Sequence, residues 1–526
     1  MHGGLSQDNR FRIYLLSLSI IAVGFIVITT SKYGAGVSSD AARNLSTADN
    51  LLSGKGFVDM VGAPFVLWPP LYPLVVAAAS GMTHGSTFVA AWYLNLLLYP
   101  VNIWLSGWLL YRLFRDRPLH AAAGALIVLL SRSMLRIHAN VASEPLFETL
   151  ILLFFFAAAA HLRNSSHRAL WSMCVLAGLA TLQRYPGIAL AGVALGVVFH
   201  RGRARGVLRA SAPILVCMLP IVAWAVFHNL PASGTLFGPR ELGAMLPVEN
   251  ISLSLTKILW WFIPRTGFLD WLIQRPWILL AAFALPLLAI NRKPDWRSWW
   301  RAIVGDYFWP GLLFSGLYFL LLAFTVVTAD HLDLTSDRYY VVLLPFVVAL
   351  VLTTLDILVL GHFKLRQPFR RSVAAGLLAA WLIYPVYGIQ AYLRQALVQG
   401  EPTNYNIANS ANFRELSVVK AAAVILAQEP QALVYSNYVN IVWFIYRHPV
   451  SELPFEDATL RKDQRLMALR DNYPGWPSQA GYIIWFTPNQ YHHIAAPDEL
   501  ATIARLSLLF EDKTGQIYSV DPKATK

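Results

Sequence analysis

Charged side chains are scarce in this 526-residue chain (13% of it), so the places where acids and arginines gather bear on chemistry. The stretch SSDAARNLSTADNLLSGKGFVDM holds Asp40, Asp49 and Asp59 with one cation, Arg43. Glu144 lies in A-S-E-P-L-F, and Glu148 follows one helical turn later. Arg184 sits in L-Q-R-Y-P-G, Arg240 in F-G-P-R-E-L-G, Arg265 in F-I-P-R-T-G-F and Arg338 in D-R-Y-Y. A carboxylate in a fixed place can take a proton from a hydroxyl. An arginine fork matches phosphate oxygens two bonds at a time. Structural roles compete at each position. Asp40 at a helix start gains a few tenths of a kcal/mol from the macrodipole, roughly, and Glu144 beside Ser143 reads equally as a first-turn acid. Arg184 and Arg338 read equally as interfacial anchors whose stems lie along apolar surface. His84, His138 and His331, even with Asp330, Asp333 and Asp337, show no ligand spacing of the H-E-x-x-H kind, so no metal site is expected. Cys174 and Cys217 lie in apolar runs and read as packing residues.

The positioning elements are apolar. The chain is 56% hydrophobic, and its charged fraction is about half that of a soluble domain. Long apolar runs predict about eleven spans, near 11–30, 87–111, 119–135, 145–162, 169–182, 187–200, 207–228, 276–290, 305–328, 339–360 and 373–393. Every second connection is short and basic: Arg112, Arg115 and Arg117; Arg163 and Arg168; Arg201, Arg203, Arg205 and Arg209; Arg292, Lys293, Arg297 and Arg301; Lys364, Arg366, Arg370 and Arg371. With Arg10 and Arg12 they define one cytoplasmic side; Arg132 and Arg136 are exceptions. The net charge of +13 is therefore topological, and a nucleic-acid partner is not expected. No cleavable signal is expected ahead of the first span, and the basic side that includes Arg10 and Arg12 leads us to expect a cytoplasmic N-terminus in a multi-pass protein of the cytoplasmic (inner) membrane.

Everything long falls on the other side: loop 31–86, loop 230–275, and a tail from about residue 396. In the tail, Phe413–Gln428, Phe455–Arg470 and Pro497–Arg505 read as helices. ALVYSN and GYIIWF read as buried strands, and LSLLFED and GQIYSV frame a Lys-Thr-Gly hairpin turn. The expected class is a polytopic α-helical membrane protein with a C-terminal extracytoplasmic α/β domain, divided as 1–395 and 396–526.

Within the first loop, Ser38 or Ser39 can cap a helix that Gly54 or Gly56 ends. Ala41, Leu45, Ala48 and Leu52 form one apolar stripe, which predicts a helix lying along the membrane surface with Asp40 at its start. Trp68-Pro69-Pro70-Leu71-Tyr72-Pro73 then fixes a rigid turn ahead of a short apolar helix, Leu74–Ala79.

The order S-D-x7-A-x-x-L-x-x-G-x-G-F, then W-P-P-L-Y-P-L, A-S-E-P-L-F, L-Q-R-Y-P-G and D-R-Y-Y-V-V-L-L-P resembles the GT-C superfamily of membrane glycosyltransferases, most of all the bacterial branch related to protein O-mannosyltransferases and lipid A aminoarabinose transferases. The resemblance spans roughly residues 11–395. It implies an inverting enzyme that moves a sugar from a polyprenyl-phosphate donor, in a lipid membrane, to a glycan, lipid or protein acceptor, with Asp40 as the catalytic base. Many relatives carry a paired acidic motif where this chain has Ser39-Asp40-Ala41, so no metal or other cofactor is expected. Under this reading Arg338, Arg184, Arg265, Arg240 and Arg43 are candidates for the donor phosphate. Tyr339, Tyr72 and Trp68 are candidates for sugar or headgroup contacts, and Glu144 orients the acceptor or positions Asp40's partner. Glu148 is expected to ion-pair inside the bundle. Two rival readings are a transporter or flippase of lipid-linked sugars and a scaffold that displays the tail.

Overall fold

The computed structural model describes residues 6–239, 254–264, 267, 271, 296–303, 305–328, 336–360, 367–401, 407–455, 461–489 and 493–522. Arg240, Arg265, Asp330, His331, Asp333 and the expected span 276–290 lie outside them. In chain order come α1 (Gln7–Thr29), α2 (Ser39–Leu52), α3 (Leu71–Thr83), α4 (Thr87–Leu113), α5 (Pro118–Leu129), α6 (Arg132–Ala139), α7 (Glu144–Asn164), α8 (His167–Gln183) and α9 (Ala189–Trp224). Then follow α10 (Trp296–Ile303), α11 (Phe308–Thr328), α12 (Leu344–Thr354), α13 (Gln367–Gln399), α14 (Ser417–Leu426), α15 (Val439–Tyr446) and α16 (Lys462–Asn472). The chain divides into two compact units, one of residues 1–28, 66–75 and 93–394, the other of 29–65, 76–92 and 395–526.

The first unit is a helical body whose outer surface suits lipid. In α1, Leu15, Leu18, Ala22 and Ile26 are buried at helical spacing, while Ile13, Leu16, Ile20 and Val27 are exposed. In water such a stripe is an adhesive patch; in a bilayer it is the stable outer face. Helix α7 is enclosed by contrast, with Phe147, Ile151, Phe154, Phe155 and Ala158 all buried, and α8 and α9 pack in series beside it. Among the described residues, seven helices are long and apolar enough to cross a membrane, or eight if bent α5–α6 is one span. The expected span 169–182 is α8, of 17 residues.

Two expectations change here. The runs 187–200 and 207–228 and the basic connection between them lie in one continuous 36-residue helix, α9, and Ser211–Ser233 is apolar enough to be a candidate span of its own. The segment RGRARGVLRA contains no proline, and its Arg, Ala and Leu residues carry the helix through Gly202 and Gly206 between the two apolar runs. Glu148 makes no ion pair or hydrogen bond among the described residues; it is fully buried, with both oxygens unbonded. At the start of α5, the Arg117 guanidinium pairs with the buried Asp356, which His120 Nε2 approaches to 3.5 Å.

The second unit holds a five-stranded mixed sheet in the order β2-β1-β3-β5-β4. Strand β1 (Leu433–Ser436) runs parallel to both β2 (Val450–Glu452) and β3 (Gly481–Phe486). The hairpin of β4 (Ala504–Asp512) and β5 (Gly515–Pro522) adds antiparallel to β3. The two buried strands and the hairpin stand where their patterns predicted. The expected helix 497–505 stops at Leu500, and β4 begins at Ala504. The expected helix 455–470 is α16, with 456–460 outside the described residues. Neither α15 nor β2 was foreseen, because VNIVWFIY is β-branched and aromatic and becomes helical only through packing.

The first loop is built into this same unit. The Ala408 amide donates to the Val37 carbonyl at 2.9 Å, and the Asn409 side chain donates to the carbonyls of Tyr33 and Ala35. Lys32 and Tyr33 both donate to Glu415, at 2.9 and 2.5 Å, and these bonds hold the Glu415 carboxyl below its ordinary range. Helix α2 is covered on more faces than its apolar stripe alone predicts. Ala41, Leu45 and Ala48 are buried as their stripe predicted, but so are Asn44, Ser46 and Thr47, and α2 packs on α15. Leu52, the last member of the stripe, is the exposed one.

Candidate active site

In the helical body, the start of α7 gathers the candidate cations. Ser143 is its N-cap residue, Pro145 fits the first turn where no amide is needed, and Glu144 between them is 3% exposed. Arg184 Nη1 lies 2.7 Å from Glu144 Oε1 and donates to Ser143 Oγ at 2.8 Å. The neighbouring Gln183 side chain donates to the Ser143 carbonyl at 2.9 Å. Arg184 can reach this point because α8 ends at Gln183 and the chain doubles back through a 3-10 turn, Tyr185–Ile188. That turn lies so tightly on α8 that a Cβ at Gly187 would collide with the Ala180 backbone, which is why the bend reads Q-R-Y-P-G.

Arg338 arrives from the other side. Its Nε is 3.9 Å from the same Glu144 oxygen, and its Nη2 donates to the Tyr339 hydroxyl at 2.8 Å. The guanidinium groups of Arg338 and Arg184 both lie over the Tyr339 ring, at 4.8 and 5.8 Å from its centroid. The short turn carrying Arg338 is anchored at both ends. Asp337 accepts from Ser133 and pairs with Arg136 at 3.3 Å, and the Tyr318 hydroxyl donates to the Tyr339 carbonyl at 2.9 Å. Tyr72 is fully buried within electrostatic reach of Glu144, and its hydroxyl has no hydrogen-bond partner among the described residues. Trp68, four residues earlier, is half-buried. Two guanidinium groups, one carboxylate and a tyrosine face thus share one small space. A buried cation pair is costly unless an anion lies between them; Glu144 supplies one, and a phosphate would supply another.

His138 is not available as a ligand. It is fully buried, with Nε2 3.0 Å from the Asn102 amide and Nδ1 2.8 Å from the Met134 carbonyl. Among the described residues, no three His, Cys, Asp or Glu side chains are placed to hold a metal ion.

The second unit presents the candidate base. Ser38 caps α2, its hydroxyl accepting from the Ala41 amide at 3.3 Å. Asp40 stands half-buried in the first turn, and its carbonyl accepts from the Asn44 side chain at 2.7 Å. Arg43, a candidate for the donor phosphate, has its guanidinium engaged by two carboxylates. It pairs with the buried Asp59 and lies 3.3 Å from Glu452. Asp59 in turn accepts from the amides of Val61 and Ala63, at 3.0 and 3.1 Å, shaping the loop after α2.

Asp49 is likewise engaged, with its side chain partly exposed. It accepts from the Thr87 hydroxyl at 2.8 Å and pairs with Arg447 Nη1 at 3.0 Å. Burial pushes its carboxyl above the ordinary range, against the pull of Thr87 and Arg447. Arg447 caps α15 in the left-handed region at φ +58°, which costs a side chain about 1–2 kcal/mol. Sequence reasoning missed Arg447, Asp337 and Asn409 as positioning residues. The Pro449 that follows Arg447 signals a helix end, but nothing in the sequence names a partner about 400 positions away.

Among solved structures the chain is similar to ArnT from Cupriavidus metallidurans bound to undecaprenyl phosphate, at 15% identity over 96% of this chain and 97% of that one, with a TM-score of 0.56. It is also similar to the oligosaccharyltransferase of Archaeoglobus fulgidus in complex with zinc and sulfate, at 12% identity over 90% of this chain and 68% of that one, with a TM-score of 0.52. At these identities the likeness is one of fold. No protein-family model and no curated protein sequence matches the chain.

Proposed function

We propose that this protein is an inverting glycosyltransferase, which moves a sugar from a polyprenyl-phosphate donor to an acceptor at the outer face of the cytoplasmic membrane. The observation that carries the reading is the convergence of Arg184 and Arg338 on Glu144 and Tyr339, at the start of a buried helix in a lipid-suited body. The solved structure of similar fold that holds undecaprenyl phosphate supports it.

In this reading the Asp40 carboxylate takes the acceptor's hydroxyl proton. The acceptor oxygen bonds to the anomeric carbon on the face opposite the lipid phosphate, and the bond from that carbon to the phosphate oxygen breaks. The electron pair leaves with the phosphate, where Arg184 and Arg338 balance the added charge. One carboxylate suffices for this displacement, whereas retention through a glycosyl-enzyme needs two at close range. Glu144 holds the two guanidinium groups in place, so its role shifts from the acceptor to the donor side. Tyr339 and Tyr72, both within reach of the Glu144 and Arg184 pair, meet the headgroup or sugar, and Trp68 in the Pro-rich turn before Tyr72 is a further candidate. No metal or other cofactor is invoked.

The test is transfer of label from undecaprenyl-phosphate-linked hexoses and pentoses in proteoliposomes, wild type against Asp40→Asn. The variant should insert and fold normally and lose about 100- to 10,000-fold in transfer rate. Full activity of Asp40→Asn removes the assignment of the base.

A further inference from the structure

We propose that Arg447 is a positioning residue of the transfer reaction, fixing through Asp49 the roll and tilt of α2 and with them the place of the Asp40 carboxylate. The inference rests on Asp40 being the base and extends that reading to a residue in the tail.

Three observations carry it. The first is the backbone at Arg447, which holds φ +58° at the end of α15. Glycine or asparagine is the usual occupant of that position, so a long charged side chain is retained there against the local preference. The second is that the side chain, though partly exposed, has partners along its length. Its guanidinium lies 4.3 Å from the Trp443 ring centroid and 5.4 Å from that of Phe444, and it ends 3.0 Å from Asp49 Oδ2. The third is where Asp49 falls. It stands in the last turn of α2, nine residues after Asp40, or about 13 Å along the axis.

Near the first turn α2 is already held by Arg43, which pairs with Asp59 and Glu452. Arg43 and Asp49 are six residues apart, so they point about 120° apart around the helix. Packing and the Asn50 side chain, which donates to the carbonyls of Val58 and Asp59, also hold α2; the Arg447 pair adds a tie from the tail to its last turn. Asp49 also accepts from Thr87 at 2.8 Å, so both of its oxygens are used. The tail thereby sets the direction of a carboxylate it does not touch through these pairs.

The experiment compares Arg447→Gly, Arg447→Lys, Asp49→Asn and the double variant Arg447→Gly/Asp49→Asn with wild type in the full-length protein. Transfer is read from the undecaprenyl-phosphate hexose or pentose that wild type uses, and thermal unfolding is followed alongside. Glycine suits the left-handed backbone, so Arg447→Gly should unfold at the wild-type temperature or above it. Its kcat should fall about tenfold or more while the donor KM stays within about twofold. Arg447→Lys should recover part of that kcat. Asp49→Asn should match Arg447→Gly, and the double variant should be no worse than either, because both remove one linkage. Wild-type kcat in Arg447→Gly, parallel loss of unfolding temperature and activity, or additive losses in the double variant would each overturn the inference. Asp40→Asn is run beside them. If it transfers normally, the base assignment fails and this inference with it. If it is inactive while Arg447→Gly keeps the wild-type rate, only the role of Arg447 falls.

Discussion

At the residue scale, what separates an anchor from a binding group is geometry that a lysine cannot copy. Arg338 offers a planar face to Tyr339 while its Nε approaches Glu144 and its Nη2 donates to the Tyr339 hydroxyl. A lysine keeps the charge but neither the plane nor the fork. Arg338→Ala should therefore raise the donor KM about tenfold or more, in line with the loss of one charge-assisted hydrogen bond. Arg338→Lys should fall between alanine and wild type, as steady-state transfer with varied donor will show. Equal behaviour of the two variants would leave Arg338 as an interfacial anchor.

At the element scale, the corner between α8 and α9 decides where Arg184 goes. Gly187 lies against the Ala180 backbone, and a methyl group there must push the 3-10 turn away from the helix. Gly187→Ala should cost about 1–3 kcal/mol in stability, the usual penalty of overpacking. It should also raise the donor KM, since Arg184 lies three residues before the displaced point. Thermal unfolding in detergent and donor titration check the two effects. A variant with normal stability and normal donor KM would show that the corner tolerates the methyl group. Much of this was readable beforehand: Q-R-Y-P-G announces a tight bend, and Ser38 with Gly54 marks the ends of α2. The burial of α2 on nearly all sides was not readable, because Asn44, Ser46 and Thr47 look like a solvent face until other elements cover them.

At the scale of the whole molecule, the second unit is assembled from three separate stretches of chain, so the tail and the first loop fold together. Arg447, Glu452, Asn409 and Glu415 in the tail all hold residues between Lys32 and Asp49. Removing residues 400–526 should abolish transfer to every acceptor tried rather than change the choice among them. A truncated protein that still transfers to one acceptor would return the tail to an accessory role. The test compares acceptor panels for the full and shortened chains at matched membrane levels.

The class of the molecule is legible in the chain alone, since apolar run length, the basic connections and strand periodicity are local properties that follow from solvent and backbone physics. The sequence also marked Asp40, Glu144, Arg184 and Arg338 as residues worth weighing, because charge is scarce in such a chain. The tertiary structure decided which charges meet. Arg43 and Arg338 look alike as exposed cations in sequence, yet one is neutralised by Asp59 and Glu452 while the other shares Glu144 and Tyr339 with Arg184. Partners hundreds of residues apart are brought together only by packing, and Coulomb energy depends on the distance through space that packing sets.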